Sequence, residues 1–225
     1  MCGRAKLPDD VSEIKLDLKI DFDEIGDYQP RWNAAPTSKL PVVLCNHGSR
    51  VLTLMRWGLI PSWAKDLKIG YSTFNARAET LMTRAAFRGA WRAGRRCLVL
   101  ADGYYEWRDA DKQPFAIALA NRGPMTLAGL WDHWRSPAGE RIKSFAIITT
   151  TANGLLAPLH DRMPVVIPPD CWADWLGENP ASEVQSLLRP YRDQAMVFWA
   201  VDRRVGNVRN DSPDLFAPIG LPPAS

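Results

Sequence analysis

Apolar positions recur at two spacings along this chain and divide it into many short elements. Residues 13–20 alternate, with Ile14, Leu16, Leu18 and Ile20 apolar between polar neighbours. That is the period of a half-buried strand, with a short helix as the alternative. The runs Leu40–Leu44 and Val51–Met55 flank Asn46-His47-Gly48-Ser49 and predict a β-hairpin. Further strands are predicted at Arg96–Ala101, Tyr104–Trp107, Pro114–Ala118, Met125–Trp131, Ser144–Thr150 and Pro164–Ile167. Turn signals at Asp109–Gln113 and Asn121–Pro124 separate some of them.

Helical spacing appears in fewer places. A helix is predicted from about Glu79 to Trp91, with Phe87 and Trp91 on one stripe and Arg84, Arg88, Arg92 and Arg96 at i,i+4 beside it. No acid lies among the five arginines between 84 and 96 to pair with them. Gly89 and Gly94 weaken the helix, so the stripe is expected to break before Arg96. Ala152–His160 reads as a loop or short helix, Pro169–Leu176 as a helix start carrying Trp172 and Trp175, and Ala181–Leu188 as a further helix. The tail runs through Val197–Val201 and Asp202–Asp211 into a Pro-rich end, irregular from about residue 212. Many short strands and few helices predict an α+β fold with a curved, barrel-like mixed β core flanked by short helices. With no repeat or linker visible, residues 1–225 are expected to form a single domain.

Composition changes this picture little, and charge somewhat more. The chain is 46% apolar and 24% charged, ordinary for a globular protein, but it has ten tryptophans. These are either core residues or flat faces for stacking on bases or sugars. Residues 1–30 hold eight acids and four bases, a net of −4, so residues 31–225 carry +7 of the overall +3. A basic body permits a polyanionic partner. No CxxC or Cys/His cluster marks a metal site, and no apolar run is long enough to span a membrane. No cofactor and no metal is expected, and the chain is placed in a reducing cytoplasm.

The chemistry centres on Cys2, directly after the initiator Met. Once Met1 is removed, Cys2 carries a thiol and a free α-amine two carbons apart. Such a pair reacts with an aldehyde: the amine condenses to an imine and the thiol closes a five-membered thiazolidine. No internal cysteine can do this, because its nitrogen is an amide. The thiolate is also a strong nucleophile. Three residues have the chemistry to serve it. Asn75, in Phe74-Asn75-Ala76-Arg77, offers an amide to hold the amine or sulfur. Glu106, set among aromatics in Gly103-Tyr104-Tyr105-Glu106-Trp107, is a candidate acid/base. His160, beside Asp161 and Arg162, is the candidate proton shuttle of the three histidines. The segment Arg203–Asn210 has the Arg, Gly and Asn content of a phosphate-binding loop. Each of these residues also has an ordinary structural role open to it.

Taken together, seven blocks resemble the SRAP family, the SOS-response-associated peptidases, also called abasic-site processing proteins. They are Met1-Cys2-Gly3-Arg4, Asn33-Ala34-Ala35-Pro36, Arg56-Trp57-Gly58-Leu59-Ile60-Pro61, Asn75-Ala76-Arg77-Ala78-Glu79-Thr80, Gly103–Trp107, His160-Asp161-Arg162-Met163-Pro164 and Val205-Gly206-Asn207-Val208-Arg209-Asn210. They span residues 2 to about 210 in family order. The resemblance implies the SRAP fold and a covalent thiazolidine crosslink between Cys2 and the ring-opened aldehyde of an abasic site in single-stranded DNA. It also implies removal of Met1 by the protein itself, with abasic-site lyase and crosslink-reversal activities. Cys2, Asn75, Glu106 and His160 match the catalytic positions. Arg4, Asn33, Trp63, Arg77, Arg84, Thr149, Arg162, Arg209 and Asn210 are expected along the DNA path. Where some members carry a second aromatic after Trp63, this chain has Ala64. A monomer is expected, nucleoid-associated on DNA, with replication-fork proteins as further partners. Two other readings remain open here: an N-terminal cysteine peptidase or amidase with other substrates, and a non-catalytic single-stranded DNA module.

Overall fold

The computed structural model describes residues 2–179, 181 and 183–220. In chain order its main elements are β1 (Ala5–Lys6), α1 (Ser12–Asp17), β2 (Phe22–Asp23), β3 (Lys39–Asn46), β4 (Ser49–Trp57), β5 (Asn75–Arg77) and α2 (Ala85–Arg92). Then come β6 (Arg96–Ala101), β7 (Gly103–Trp107), β8 (Pro114–Leu119), β9 (Met125–Arg135), β10 (Arg141–Thr151), β11 (Arg162–Pro164), α3 (Trp172–Leu176) and β12 (Met196–Ala200).

Five strands close on themselves. The order β10-β9-β6-β3-β4 is completed by a parallel pairing of β4 back to β10, Ser144 with Arg56 and Phe145 with Trp57. This is the barrel-like mixed core that the alternation of short strands predicts. A second sheet, β1-β7-β8-β12, packs beside it. Both faces of the barrel strands are buried. Val42, Leu44, Val99, Leu127 and Ile147 share one cluster with Cys2 and Tyr104, while Val43, Leu98, Leu100, Ala128 and Ile148 join a second with Phe87 and Trp175. Two buried faces explain why these strands read as unbroken apolar runs.

The hairpin predicted from residues 40–55 forms as β3 and β4, paired from Lys39↔Arg56 to Asn46↔Ser49. Its turn places His47 and Gly48 at positive φ. Three expectations change. Residues 13–20 are not a strand: Ser12–Asp17 is a helix. Ile14 and Leu18, four apart, face the core, while Leu16 is 78% exposed. The alternation therefore hid a helical stripe. The helix expected from Glu79 begins only at Ala85. Before it, Ala78 donates to Thr149 O and the chain turns through Thr80 and Thr83, because β5 must first leave its pairing with β10. The helix expected over Ala181–Leu188 is a single 3-10 turn at Val184–Leu187, and Ser182 lies outside the described residues.

Two smaller differences concern the end of the chain. Of the predicted strand Pro164–Ile167, only Pro164 belongs to β11. Val165 crosses from β10 to β9, donating to Ile148 O and accepting from Ala128. The tail after residue 212 makes a 3-10 turn at Pro213–Phe216 that buries Leu215 and sets Phe216 against Trp199 and Tyr105. Among the described residues no helix is long and apolar enough to cross a membrane.

Candidate functional site

The segment from Cys2 to Lys6 runs along the edge of the second sheet. β1 pairs antiparallel with β7, Ala5↔Tyr104 and Lys6↔Gly103, and Tyr105 donates its N–H to Arg4 O at 3.0 Å. Continuing that register sets Gly3 opposite Glu106. Cys2 itself is fully buried, 0% exposed. Burial first, and the nearby Glu106 carboxylate second, push its thiol well above the usual cysteine range, against a backbone hydrogen bond from Arg4. At neutral pH the sulfur is therefore a protonated thiol.

Asn75 arrives from the barrel. β5 pairs in parallel with β10, Ile147↔Asn75 through Thr149↔Arg77, so the strand delivers Asn75 beside the N-terminal segment. Its Nδ2 donates to the Cys2 carbonyl at 2.7 Å. Its Oδ1 is buried without a hydrogen-bond partner, an acceptor held ready inside the site. Glu106 projects from β7, 6% exposed, with Oε1 accepting from the Trp107 N–H at 3.3 Å.

His160 lies just before β11, at the end of a loop tied down by Ala152 N–H to Asp161 O and by Leu156 N–H to Asn153 Oδ1. Its Nδ1 accepts from the Arg162 N–H at 2.9 Å and lies 2.8 Å from Asp161 Oδ1. Nδ1 cannot both accept from the amide and donate to the carboxylate. When Nδ1 accepts from the amide, the ring nitrogen left to donate is Nε2. His160 also helps hold the Asp109 carboxylate down, though less than Lys112 does. This puts it within electrostatic reach of the turn that follows Glu106 and Trp107.

The residues expected along a DNA path divide by exposure. Arg77, Arg84 and Arg209 are exposed, and Trp63 is 60% exposed on the turn after Pro61. Arg162 is 8% exposed, with its guanidinium engaged by both Glu79 oxygens at 2.6 and 2.9 Å and by Thr149 O at 2.7 Å. Thr149 is itself fully buried. Arg4 reaches over the Trp107 ring, donating to Asn33 Oδ1, Val205 O and Gly206 O. Asn33 is fully buried, and its Nδ2 is shared among the carbonyls of Val205, Asn207 and Asn210. Arg4 and Asn33 thus hold the 203–210 segment in place, and Asn210 caps it by donating to Arg204 O.

Two participants are not singled out by the sequence. Asp211 accepts from the Trp32 and Asn33 N–H groups and from Arg31, locking the 30–36 loop to the 203–211 segment. Its position next to Asn210 was the available signal. Glu79, inside the Asn75–Thr80 block, is the carboxylate that holds Arg162. A cavity of about 610 Å³ between Val166–Cys171 and Leu187–Ala195 is lined by none of the site residues. Among the described residues no group of three or more His, Cys, Asp or Glu is arranged to hold a metal ion.

Comparison with known proteins agrees in coverage and fold. The model of the SOS response associated peptidase (SRAP) family matches residues 1–208. The abasic site processing protein YoqW of Bacillus subtilis is 39% identical, over 96% of this chain and 98% of its own. The abasic site processing protein HMCES of Gallus gallus is 34% identical, over 87% of this chain and 68% of its own. A crystal structure of a Bordetella bronchiseptica protein superposes with a TM-score of 0.77 at 27% identity, covering 89% of this chain and all of that one. One from Bacteroides thetaiotaomicron reaches 0.84 at 24% identity over 96% and 99%, a likeness of fold alone. With its closed barrel, its buried second-position cysteine and a family match over nearly its whole length, this chain belongs to the SRAP family.

Proposed function

We propose that the protein processes abasic sites in single-stranded DNA, and that mature Cys2 captures the ring-opened aldehyde as a thiazolidine. The observation that carries the reading is the hold of Asn75 on Cys2 beside the Glu106 carboxylate, in a buried corner of the fold. The names of the relatives support the lesion as substrate.

The chemistry follows from the amine. A reference α-amine has a pKa of about 7.7–8.0, so roughly one in seven is neutral at pH 7; a lysine is several hundred-fold less so. The neutral amine attacks the aldehyde carbon, water leaves, and an imine forms. The thiol then adds to the imine carbon. A C–S bond forms, the thiol proton passes to the imine nitrogen, and the ring closes with nothing oxidised or reduced. The thiol starts protonated, so the amine acts first. Asn75 positions Cys2, and its open Oδ1 suits the N–H of the freed amine. Glu106 serves as acid/base for the amine and imine steps. His160, with its proton on Nε2, donates to the opening sugar oxygen and assists reversal.

Ring closure competes with β-elimination from the imine, which would cut the strand 3′ to the lesion and make the protein a lyase. Arg77 and Arg209 meet phosphates, and Trp63 stacks on a base at about 1–3 kcal/mol. Self-removal of Met1, action as a monomer in the cytoplasm or on the nucleoid, and contact with replication-fork proteins complete the proposal.

The deciding experiment incubates the purified protein with abasic single-stranded DNA. A heat-stable adduct that is absent for Cys2→Ala supports the reading. Amide cleavage without an adduct would favour a peptidase. Intact mass gives a second check: if Met1 stays on, thiazolidine capture fails for that material.

A further inference from the structure

Helix α2 breaks most of the rules that stabilise a helix. Arg84 opens it with no side-chain cap, its first turn contains no acid, and Gly89 sits in its middle. Arg84, Arg88 and Arg92 follow one another at i,i+4, which sets like charges side by side, the first two against the helix dipole. All three are exposed, and none has a carboxylate partner among the described residues. Arg95 and Arg96, just beyond, are accounted for: Arg95 pairs with Asp132, and Arg96 donates to Trp175 O and lies over Trp91 and Trp175. The helix is held on by its other face, with Phe87 and Ala90 buried and Trp91 half-buried against the core. Nothing in the stability of the fold requires its outer charges.

Position gives those charges a use. The chain passes from Arg77 to α2 through one compact turn. Thr80 and Leu81 donate to Arg77 O, and Arg84 donates to Thr80 O. Arg77 pairs with Thr149 at the end of β10, next to Arg162 and the loop of His160. Arg84 therefore follows Arg77 after this one turn of chain, and Arg88 and Arg92 continue the exposed row along α2. Successive arginines are about 6 Å apart along the helix, the reach of one nucleotide of an extended strand. A row of cations with no base-reading partner suits phosphates and no particular sequence.

The geometry points to α2 as a phosphate rail, in which Arg88 and Arg92 extend the track of Arg77 and Arg84 along the single strand flanking the lesion. Arg88 and Arg92 are assigned here as DNA contacts. The inference rests on the DNA-binding part of the function proposed above and not on its covalent chemistry.

The test uses intact, non-abasic single strands, so crosslinking cannot affect it. Fluorescence anisotropy compares the full-length wild type with Arg88→Gln/Arg92→Gln on oligonucleotides of about 5 and about 20 nucleotides. The expected result is weaker binding of the longer strand, with each lost contact counting for about fivefold at 0.1 M salt. The slope of log K against log salt should fall by about 1.4 for two contacts. The short strand, held at the site, should lose much less. Lys19→Gln, which removes one charge at an exposed residue beyond α1, should leave the slope as in wild type and not lower it by the roughly 0.7 of one lost contact. Because the substitutions relieve like-charge repulsion, the thermal midpoint should hold or rise, so that weaker binding cannot be put down to unfolding. Wild-type affinity and slope in the double variant on the longer strand would overturn the rail. Loss of affinity in the variant, with no adduct formed by wild type on abasic DNA, would sink the chemistry and leave the rail standing.

Discussion

Asn75 and Cys2 are joined across 73 residues of chain by one hydrogen bond, Nδ2 donating to the Cys2 carbonyl at 2.7 Å. The bond fixes the backbone of the residue whose amine must attack. Asn75→Ala removes it and leaves a buried carbonyl without that donor, at a cost of about 1–3 kcal/mol. If the bond matters mainly for orientation, adduct formation at saturating abasic DNA should slow by roughly 5- to 150-fold, the rate equivalent of that energy. Single-turnover rates on gels provide the measurement. An unchanged rate would remove Asn75 from the mechanism.

The raised thiol of Cys2 predicts behaviour on alkali. Glu106 contributes to the rise, so Glu106→Gln should lower the pH at which Cys2 titrates. Alkylation rates followed against pH would report a shifted midpoint. The linked effect on stability has a definite sign. A buried thiol whose folded pKa is raised contributes stability that is fully present below the unfolded value, about 8.5, and is lost as pH climbs toward the folded value. Cys97 is buried and raised in the same way. Wild type should therefore lose up to about 1.4 kcal/mol per pH unit per thiol above that point. Cys2→Ala should lose stability less steeply over the same range in urea titrations.

How far the sequence foretells these arrangements depends on the range of the interactions. β6 spans Arg96–Ala101 as its apolar run predicts, because a strand buried on both faces writes itself into consecutive residues. The stretch around Ile14 misleads because four residues can satisfy a period of two and a period of four together, and only the exposure of Leu16 separates them. Asn75, Glu106 and His160 stand out as chemical types in apolar or turn contexts. The hold on Cys2 depends on β5 pairing with β10, and no local pattern encodes that. Asp211 is invisible for the same reason: its partners lie about 180 residues away, at Arg31, Trp32 and Asn33.

The Glu79–Arg162 pair should show its weight only where Glu79 is ionised. Its hydrogen bond with Arg162, before any other cause, holds the Glu79 carboxyl below its usual range. A depressed carboxylate contributes stability that is present above the unfolded value, about 4.3, and is lost as pH falls through the folded one. Glu79→Gln should therefore destabilise at pH 7, and the difference should shrink as pH falls below about 4.3. Because Glu79 is 48% exposed, about 1–2 kcal/mol is expected, less than for a fully buried pair. Thermal midpoints of the two proteins across pH would show the curves converging in acid. The same variant frees the Arg162 guanidinium from its carboxylate, and it should bind single-stranded DNA more tightly than wild type at low salt. Weaker binding would mean that Glu79 orients Arg162 for DNA and does not compete with it.

Asn33 and Asp211 act on one joint, and their substitutions should not add. Asn33 holds the 203–210 segment through the carbonyls of Val205, Asn207 and Asn210, and accepts from Arg4. Asp211 holds the end of the same segment to the Trp32 and Asn33 amides. Asn33→Ala strips several buried groups of their partner at once, for about 2–4 kcal/mol. Asp211→Asn keeps an acceptor for the two amides but gives up the charge that Arg31 meets, for about 1 kcal/mol at this half-exposed pair. Once either change has loosened the joint, the other has less to lose, so the double variant should fall short of the sum. Urea midpoints of the two single variants and the double would measure that difference. Limited proteolysis should cut within residues 203–211 sooner in all three than in wild type. Additive energies with no new cleavage there would show that the two residues stabilise the fold separately and that no shared joint exists.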